Sequence, residues 1–289
     1  MTYQNVFIIG SPRSGTSLFR MMMSSHSSIV VPPECGFIQW WYEDYKDWNI
    51  ENTQSIKDVQ SYISNLKTSK KIETWNLDYL ALETLIKTKQ PKSYQELTSL
   101  VIHQYGIQKE KGASMVLGDK NNYYIDHLDL LNHIYPNAKY LIIVRDSRDV
   151  VCSCLKVNSL ATDSKYKPKF PETIKDISLD WLHKNETILS FLESISPSNY
   201  ALIRYEDLLN EPQIELQKCT EVLNLQFEDQ MLDYYKNKME PSALLDWKKK
   251  TNEQLDKNNT QKYLEQLSAA QIDEIMSVSG HLMSKFGYH

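Results

Sequence analysis

Short apolar runs of strand length alternate along the chain with stretches of helical spacing. The first 31 residues predict a strand at Asn5–Ile9 and a breaker-rich turn, Gly10-Ser-Pro-Arg-Ser-Gly15. A helix over Thr16–Ser25 follows, with Leu18, Met21 and Met22 on its inner face. A short strand, Ile29–Val31, is then stopped by Pro32-Pro33. Residues 35–112 change character: they are aromatic and polar, with helical periodicity in Ile56–Leu66, Leu77–Ile86 and Tyr94–Tyr105. This segment reads as a helical insertion between strands, a common place to build a substrate pocket.

The sheet pattern then resumes. Ser114–Leu117 predicts a strand leading into Gly118-Asp-Lys120, and Tyr123–Ile134 a helix. Lys139–Val144 predicts a buried strand, followed by Arg145-Asp-Ser-Arg148-Asp and a helix to about Val157. Asn158–Pro171 is the best candidate for a mobile loop. Thr173–Ser194 predicts a long helix and Tyr200–Ile203 another strand, with Arg204-Tyr-Glu-Asp after it. Ser268-Ala-Ala-Gln271 has the form of a capping box and opens a final helix ending near Gly287. Strands alternating with helices predict a parallel sheet covered on both faces, an α/β three-layer fold. A length of 289 residues suits one domain spanning 1–289, with 35–112 as its insertion.

Composition narrows the function classes. The formal charge of −5 argues against a general polyanion-binding surface and against a nucleic-acid partner. No apolar run approaches the roughly 18 residues needed to span a bilayer. The first strand starts so early that no cleavable signal fits before it, which predicts a cytoplasmic protein. Cys35, Cys152, Cys154 and Cys219 lack zinc-type spacing and are expected to be reduced thiols, with no metal site.

Two scarcities carry more information. Two of the eight glycines, Gly10 and Gly15, fall in one six-residue turn. Only five arginines stand against 27 lysines, and Arg13, Arg20, Arg145, Arg148 and Arg204 cluster in three segments that follow strands. Arginine offers a rigid multi-donor fork for phosphate or sulfate oxygens. In a parallel sheet Arg13, Glu34, Lys120, Arg145 and Arg204 would all stand at carboxyl ends on one edge, where such sheets bind ligands. The turn Gly10-x4-Gly15-Thr16-Ser17 has the outline of a phosphate-binding loop, with Thr16 in place of the usual lysine. A nucleotide triphosphatase needs that lysine, so its loss disfavours ATP or GTP hydrolysis.

On these residues the sequence resembles the sulfotransferases that use 3′-phosphoadenosine 5′-phosphosulfate (PAPS). Ser11-Pro-Arg-Ser-Gly-Thr-Ser-Leu18 resembles their 5′-phosphosulfate loop, and Tyr140–Ser153 their 3′-phosphate motif. The resemblance implies that Arg13, Ser14, Gly15, Thr16 and Ser17 bind the donor's sulfated end, and that Arg145 and Ser153 hold its 3′-phosphate. Glu34 resembles the catalytic base of the tyrosylprotein and glycan branches, and Gly118-Asp-Lys120 the segment carrying their catalytic lysine. Tyr205 in Arg204-Tyr-Glu-Asp and Lys262 in Thr260-Gln-Lys-Tyr263 match segments near the nucleotide, although the family has Trp where this chain has Tyr263. The implied reaction is metal-free transfer of a sulfuryl group to an acceptor hydroxyl on a carbohydrate, glycolipid precursor or small metabolite. Arg13 and Lys120 would stabilise the transferring group and Glu34 would take the hydroxyl proton. A tyrosine-containing peptide is a further acceptor class.

The same residues admit plainer readings. As the lesser reading, Glu34 is a strand-end ion pair or a helix cap for Cys35 onward, Lys120 a solvated loop lysine, Arg145 a salt bridge to Asp149 or Glu206, and Ser153 helix filler. Arg148 reads as structural. Trp40, Trp41 and Tyr42 read as core or as acceptor wall. A kinase-like P-loop enzyme using ATP and a non-catalytic nucleotide-binding module are the competing functions.

Overall fold

The computed structural model describes residues 3–237, 240–241 and 245–289. Five parallel strands form one sheet: β1 (Gln4–Ile9), β2 (Ile29–Val30), β3 (Val116–Lys120), β4 (Lys139–Val144) and β5 (Tyr200–Arg204), in the order β2-β3-β1-β4-β5. β1 is central: the chain builds β2 and β3 on one side of it and β4 and β5 on the other. Strand order therefore reverses at β1, and the loops leaving its carboxyl end face a crevice. The β1 side chains alternate between two cores. Phe7 and Ile9 enter the one shared with the insertion, and Val6 and Ile8 enter the opposite one. A strand buried on both faces needs such a continuous apolar run, which Asn5–Ile9 anticipates.

Helices cover both faces. The phosphate-type turn leads into α1 (Thr16–Ser24), in which Phe19, Met21, Met22 and Met23 are buried. The insertion carries α2 (Thr53–Thr68), α3 (Tyr79–Lys89) and α4 (Tyr94–Gln108), which contain two of the periodic stretches read from the sequence and all of the third, Leu77–Ile86, but its first two residues. Each start is fixed by a side-chain cap: Asn52 accepts from the Gln54 amide, Asp78 from Ala81 and Ser93 from Glu96. Aromatic residues knit these helices together, with Tyr45 edge-on to Tyr62 and Phe37 edge-on to Trp75. Next come α5 (Ser147–Asn158), α6 (Ile174–Ser194) and the closing α7 (Ala269–Lys285). The expected box at Ser268 and Gln271 forms with both of its hydrogen bonds.

Three expectations change. Gly118, Asp119 and Lys120 belong to β3 rather than to a loop after it, because β3 pairs with β1 out to Ile8↔Lys120. The helix expected over Tyr123–Ile134 is divided into a 3₁₀ turn, Asn122–His127, and a short α-helix, Leu128–Ile134. Asn121 caps that turn at the Tyr123 amide. Segment 158–171 has no regular structure but is tied down: the Asn158 side chain bonds Pro171 O at 3.0 Å, and the Tyr166 hydroxyl bonds Glu73. The four cysteines are buried and unpaired. Among the described residues no helix is long and apolar enough to cross a membrane.

Gly118 shows how closely β3 and β1 are matched. A Cβ there would stand 2.6 Å from Val6 Cγ1 and 2.8 Å from Val6 O, a contact that backbone cannot relieve by rotamer change. Gly118→Ala is therefore expected to cost about 1–3 kcal/mol. In urea unfolding it should lower the midpoint with an unchanged slope, and an unchanged midpoint would contradict this packing.

Candidate active site

One crevice of about 850 Å³ opens along the carboxyl edge of the sheet. Among the described residues, twelve lysines and arginines line it against six carboxylates, in a protein whose net charge is −5. The acidic surface thus conceals a cationic interior, which focuses potential on an anionic ligand.

The β1 turn forms one wall. Gly10 lies so close to β4 that a Cβ would stand 2.5 Å from Ile143 O. Gly15 has φ 93°, and a Cβ would meet the Tyr205 ring at 2.4 Å. Both the backbone and its neighbour therefore demand glycine. The first amide bonded within α1 is that of Phe19, to Gly15 O, and no side chain caps the helix. The preceding amides are left for a ligand, as in an anion cradle. Ser11 and Ser14 cross-link the turn through their hydroxyls at 2.7 Å. Ser14 is fully buried by this bond and its side chain does not reach the crevice, whereas Thr16 and Ser17 line it. Thr16 also donates to Asn122 Oδ1 at 3.3 Å.

Arg13 takes the left-handed conformation, φ 71°, uncommon for a residue with a side chain. Its guanidinium crosses the crevice, and Nε donates to Ser153 Oγ on α5 at 2.9 Å. Arg145, just after β4, donates to Arg13 O at 3.3 Å and to Asn259 O at 3.0 Å, and lies 4.4 Å over the Tyr205 ring. Asp149 is 3.5 Å away, while Glu206 accepts instead from the Asp146 amide and the Tyr288 hydroxyl. Arg145 Nε is buried without a hydrogen-bond partner, an unmet donor in a crevice wall. Tyr205 is held between Gly15 and Arg145, and its hydroxyl accepts from Asn259 at 2.6 Å. Lys262 lines the same wall. The Tyr263 ring packs under Arg148 at 4.2 Å.

The other end of the crevice holds a cluster of buried charge. Glu34 Oε2 accepts from Lys120 Nζ at 2.7 Å, Glu34 Oε1 from Lys71, and Lys248 Nζ lies 3.8 Å from Oε2. Lys248 reaches Glu240 at 2.8 Å, and Glu240 holds Arg20 at 2.7 Å. Burial alone would push the Glu34 carboxyl up, but Lys120, Lys248 and Lys71 together hold it well below the usual carboxylate range. Burial, reinforced by Lys248, pushes Lys120 down to about 8 despite its bond to Glu34. Asp119, next to Lys120, is driven up to about 7 by burial.

Arg13, Glu34, Lys120, Arg145, Ser153, Tyr205 and Lys262 therefore meet in one place, with Gly15, Thr16 and Ser17. Of the five arginines, three do not face the crevice, and Arg148 is structural as read from the sequence. Arg20 points away from the crevice, to Val31 O and Glu240. Arg148 forms a two-pronged pair with Asp146. Arg204, expected on the crevice edge, is not there, because β5 is the outer strand and the side chain turns to the Tyr288 ring at 4.4 Å. Trp40, Trp41 and Tyr42 do not line the crevice either: Trp41 bonds Ser69, and Tyr42 packs edge-on to Tyr94. Sequence reasoning missed Lys71, Lys248, Glu240 and Asn259. Lysine is too abundant here for any one to stand out, and none of the four lies in a recognisable motif.

The crevice of this α/β three-layer fold thus combines a lysine-free glycine turn after β1, a distant arginine and a carboxylate among lysines. The model described as the sulfotransferase family matches residues 5–229, and the chain belongs to that family. Protein-tyrosine sulfotransferase A of Caenorhabditis elegans is 24% identical over 232 residues, 79% of this chain and 52% of its own length. Protein-tyrosine sulfotransferase 1 of Danio rerio is 22% identical over 233 residues, 79% and 55%. The chain thus spans about half the length of these curated relatives. Two solved structures share the fold. The sulfotransferase domain from the curacin biosynthetic pathway has TM-score 0.63 at 24% identity, covering 100% of this chain and 99% of its own. That from the Synechococcus PCC 7002 olefin synthase has TM-score 0.61 at 18% identity, covering 100% and 96%. Lys248, Asn259 and Lys262 lie beyond the span matched by the family.

Proposed function

We propose that the chain transfers a sulfuryl group from PAPS to an acceptor hydroxyl, releasing adenosine 3′,5′-bisphosphate and a sulfate ester. The observation that carries this reading is the shared crevice. The amide cradle with Arg13 and the Arg145–Ser153 wall face one space, with Glu34 and Lys120 at its end. The amides of the turn and Arg13 hold the sulfated 5′ end. Arg145, with its unmet Nε, and Ser153 hold the 3′-phosphate, which separates this donor from ATP. Ser153 accepts from Arg13 through a lone pair, which leaves its own O–H to donate to that phosphate.

The acceptor oxygen forms a bond to sulfur as the bond from sulfur to the 5′-phosphate oxygen breaks. Glu34 takes the hydroxyl proton, and the departing electron pair stays on the phosphate. By analogy with phosphoryl transfer, charge spreads over the equatorial and leaving oxygens, so fixed donors and cations lower the barrier. Arg13, the turn amides and Lys120 supply them. A carboxylate held as low as Glu34 binds a proton weakly. It is better matched to a phenol, whose pKa is about 10, than to a less acidic alkyl alcohol. Together with the names of the curated relatives, this favours a tyrosyl or other phenolic hydroxyl over a sugar alcohol.

The direct experiment is incubation with labelled PAPS and paired phenolic and alkyl acceptors, including a tyrosyl peptide, read as mass gain of one sulfate. Transfer is expected to phenols first, and Glu34→Gln is expected to lower turnover by roughly 10²-fold or more while sparing bisphosphate binding. Retained turnover would remove Glu34 from the role.

Nucleotide selectivity is a separate check. Adenosine 3′,5′-bisphosphate at 100 times its dissociation constant should stabilise the fold by about 2.7 kcal/mol. ATP at the same concentration should do much less, and Arg145→Ala should abolish the difference. Equal melting shifts with the two nucleotides would contradict the donor assignment.

Lys120 sets the alkaline limit. Its folded value lies at about 8, below an ordinary lysine, so the ammonium is lost as pH rises through 8. The donor-dependent kcat/KM, which reports the free enzyme, should therefore fall above about pH 8. Lys120→Arg, charged throughout, should flatten that limb.

A further inference from the structure

Lys248 stands outside the part of the chain that the family model covers, yet it reaches the carboxylate assigned above as the base. Its position among the charges is specific. Oε1 of Glu34 carries Lys71, which comes from the insertion at a left-handed φ of 73°. Oε2 carries Lys120 from β3 at 2.7 Å and Lys248 at 3.8 Å. Lys248 is in turn held by Glu240 at 2.8 Å, whose other oxygen is bonded to Arg20 of α1 at 2.7 Å. Both Arg20 and Glu240 side chains are fully excluded from solvent. Lys248 is therefore locked between two carboxylates, while Lys71 and Lys120 each have Glu34 as their ion-pair partner.

The reaction proposed above calls on two of these three ammonium groups. Lys120 is to face the transferring sulfuryl group, and the acceptor hydroxyl must take a place on Glu34. If it takes the Oε1 position it displaces Lys71. Glu34 would then sit in a buried site with its direct cations gone, and a buried carboxyl in that position picks up a proton and ceases to be a base. Lys248 is the one cation of the three that need not move, because Glu240 and, through it, Arg20 fix it independently of Glu34.

We propose that Lys248 is a positioning residue that keeps Glu34 an ionised acceptor of the hydroxyl proton while Lys120 and Lys71 are engaged elsewhere. This rests on the reading of Glu34 as the base. The groups that bear on Glu34 are Lys120 and Asp119 from β3, Lys71, Lys248, Arg13 from the turn and the neighbouring Cys35 thiol. Of these, Asp119 and Cys35 act against ionisation once they carry charge, which leaves Lys248 and the more distant Arg13 as standing support. The device also accounts for Arg20. Its guanidinium buttresses Glu240 from the helix that forms the anion cradle, so the cradle and the base are braced by one chain of ion pairs.

The test reads the Glu34 carboxyl itself, without turnover. Its titration is followed by NMR in the full chain carrying ¹³C-carboxyl glutamate, with Glu34→Gln assigning the signal, in the presence of adenosine 3′,5′-bisphosphate and a phenol, a pair that fills the donor and acceptor places and cannot react. Lys248→Met is expected to raise the Glu34 midpoint by about one pH unit or more, a tenfold change in its proton affinity. Lys248→Arg should restore it. A variant that is merely less stable would lower the melting temperature without moving the midpoint. If Lys248→Met does not fold, Lys248→Met with Glu240→Gln removes the orphaned carboxylate and is measured instead, with the same expected rise. An unmoved midpoint in the folded variant overturns the proposal. Because the midpoint is read in the absence of transfer, that result would leave Glu34 as base standing. Turnover surviving in Glu34→Gln would instead overturn the reading beneath it.

Discussion

The stack of Gly15, Tyr205 and Arg145 is the constraint on which the site depends. A left-handed glycine lies against the Cδ2 and Cε2 atoms of the ring, with no room for a Cβ, and a guanidinium lies 4.4 Å over the ring. This single packing arrangement ties the β1 turn to the ends of β4 and β5. The turn cannot drift from Arg145 without exposing the ring, and Arg145 cannot swing away without giving up its bonds to Arg13 O and Asn259 O. The distance between the anion cradle and the remote arginine is thereby set by the protein before any ligand arrives, which is the preorganisation that electrostatic catalysis needs.

At the opposite end of the crevice the charges do not balance. Four cations, Lys71, Lys120, Lys248 and Arg20, surround two carboxylates, Glu34 and Glu240. Burying such groups is costly unless each is partnered. The surplus of positive charge, together with unbonded helix amides and the unmet donor on Arg145, describes a cavity shaped for a multiply charged anion. The same surplus pulls Glu34 down and pushes Lys120 toward neutrality. On the function proposed above, anion recognition and proton transfer are set by one electrostatic field.

Much of this was legible in the sequence because it depends on local pattern. Short continuous apolar runs located the five strands, and Gly10, Arg13 and Gly15 located the turn after β1, since a turn of that shape needs those residue types wherever it occurs. Arg145 and Ser153 were legible for a related reason: they sit one after a strand and the other two turns into the following helix. What stayed hidden is non-local. Lys248 and Glu240 approach Glu34 and Arg20 across more than 200 residues of chain, through a segment with no strong periodicity. The place of Arg20 was not legible either, because its helix face cannot be told from composition. Lys120 looked like a loop residue because a Gly-Asp pair usually breaks a strand, whereas here Gly118 is demanded by Val6.

The most direct measurement is a crystal structure of the chain with adenosine 3′,5′-bisphosphate. The 5′-phosphate should rest on the amides of residues 15–17, and the 3′-phosphate should bond Arg145 and accept from the Ser153 hydroxyl. A nucleotide bound at only one of these two places, or outside the crevice altogether, would contradict the reading of the two walls as one donor site.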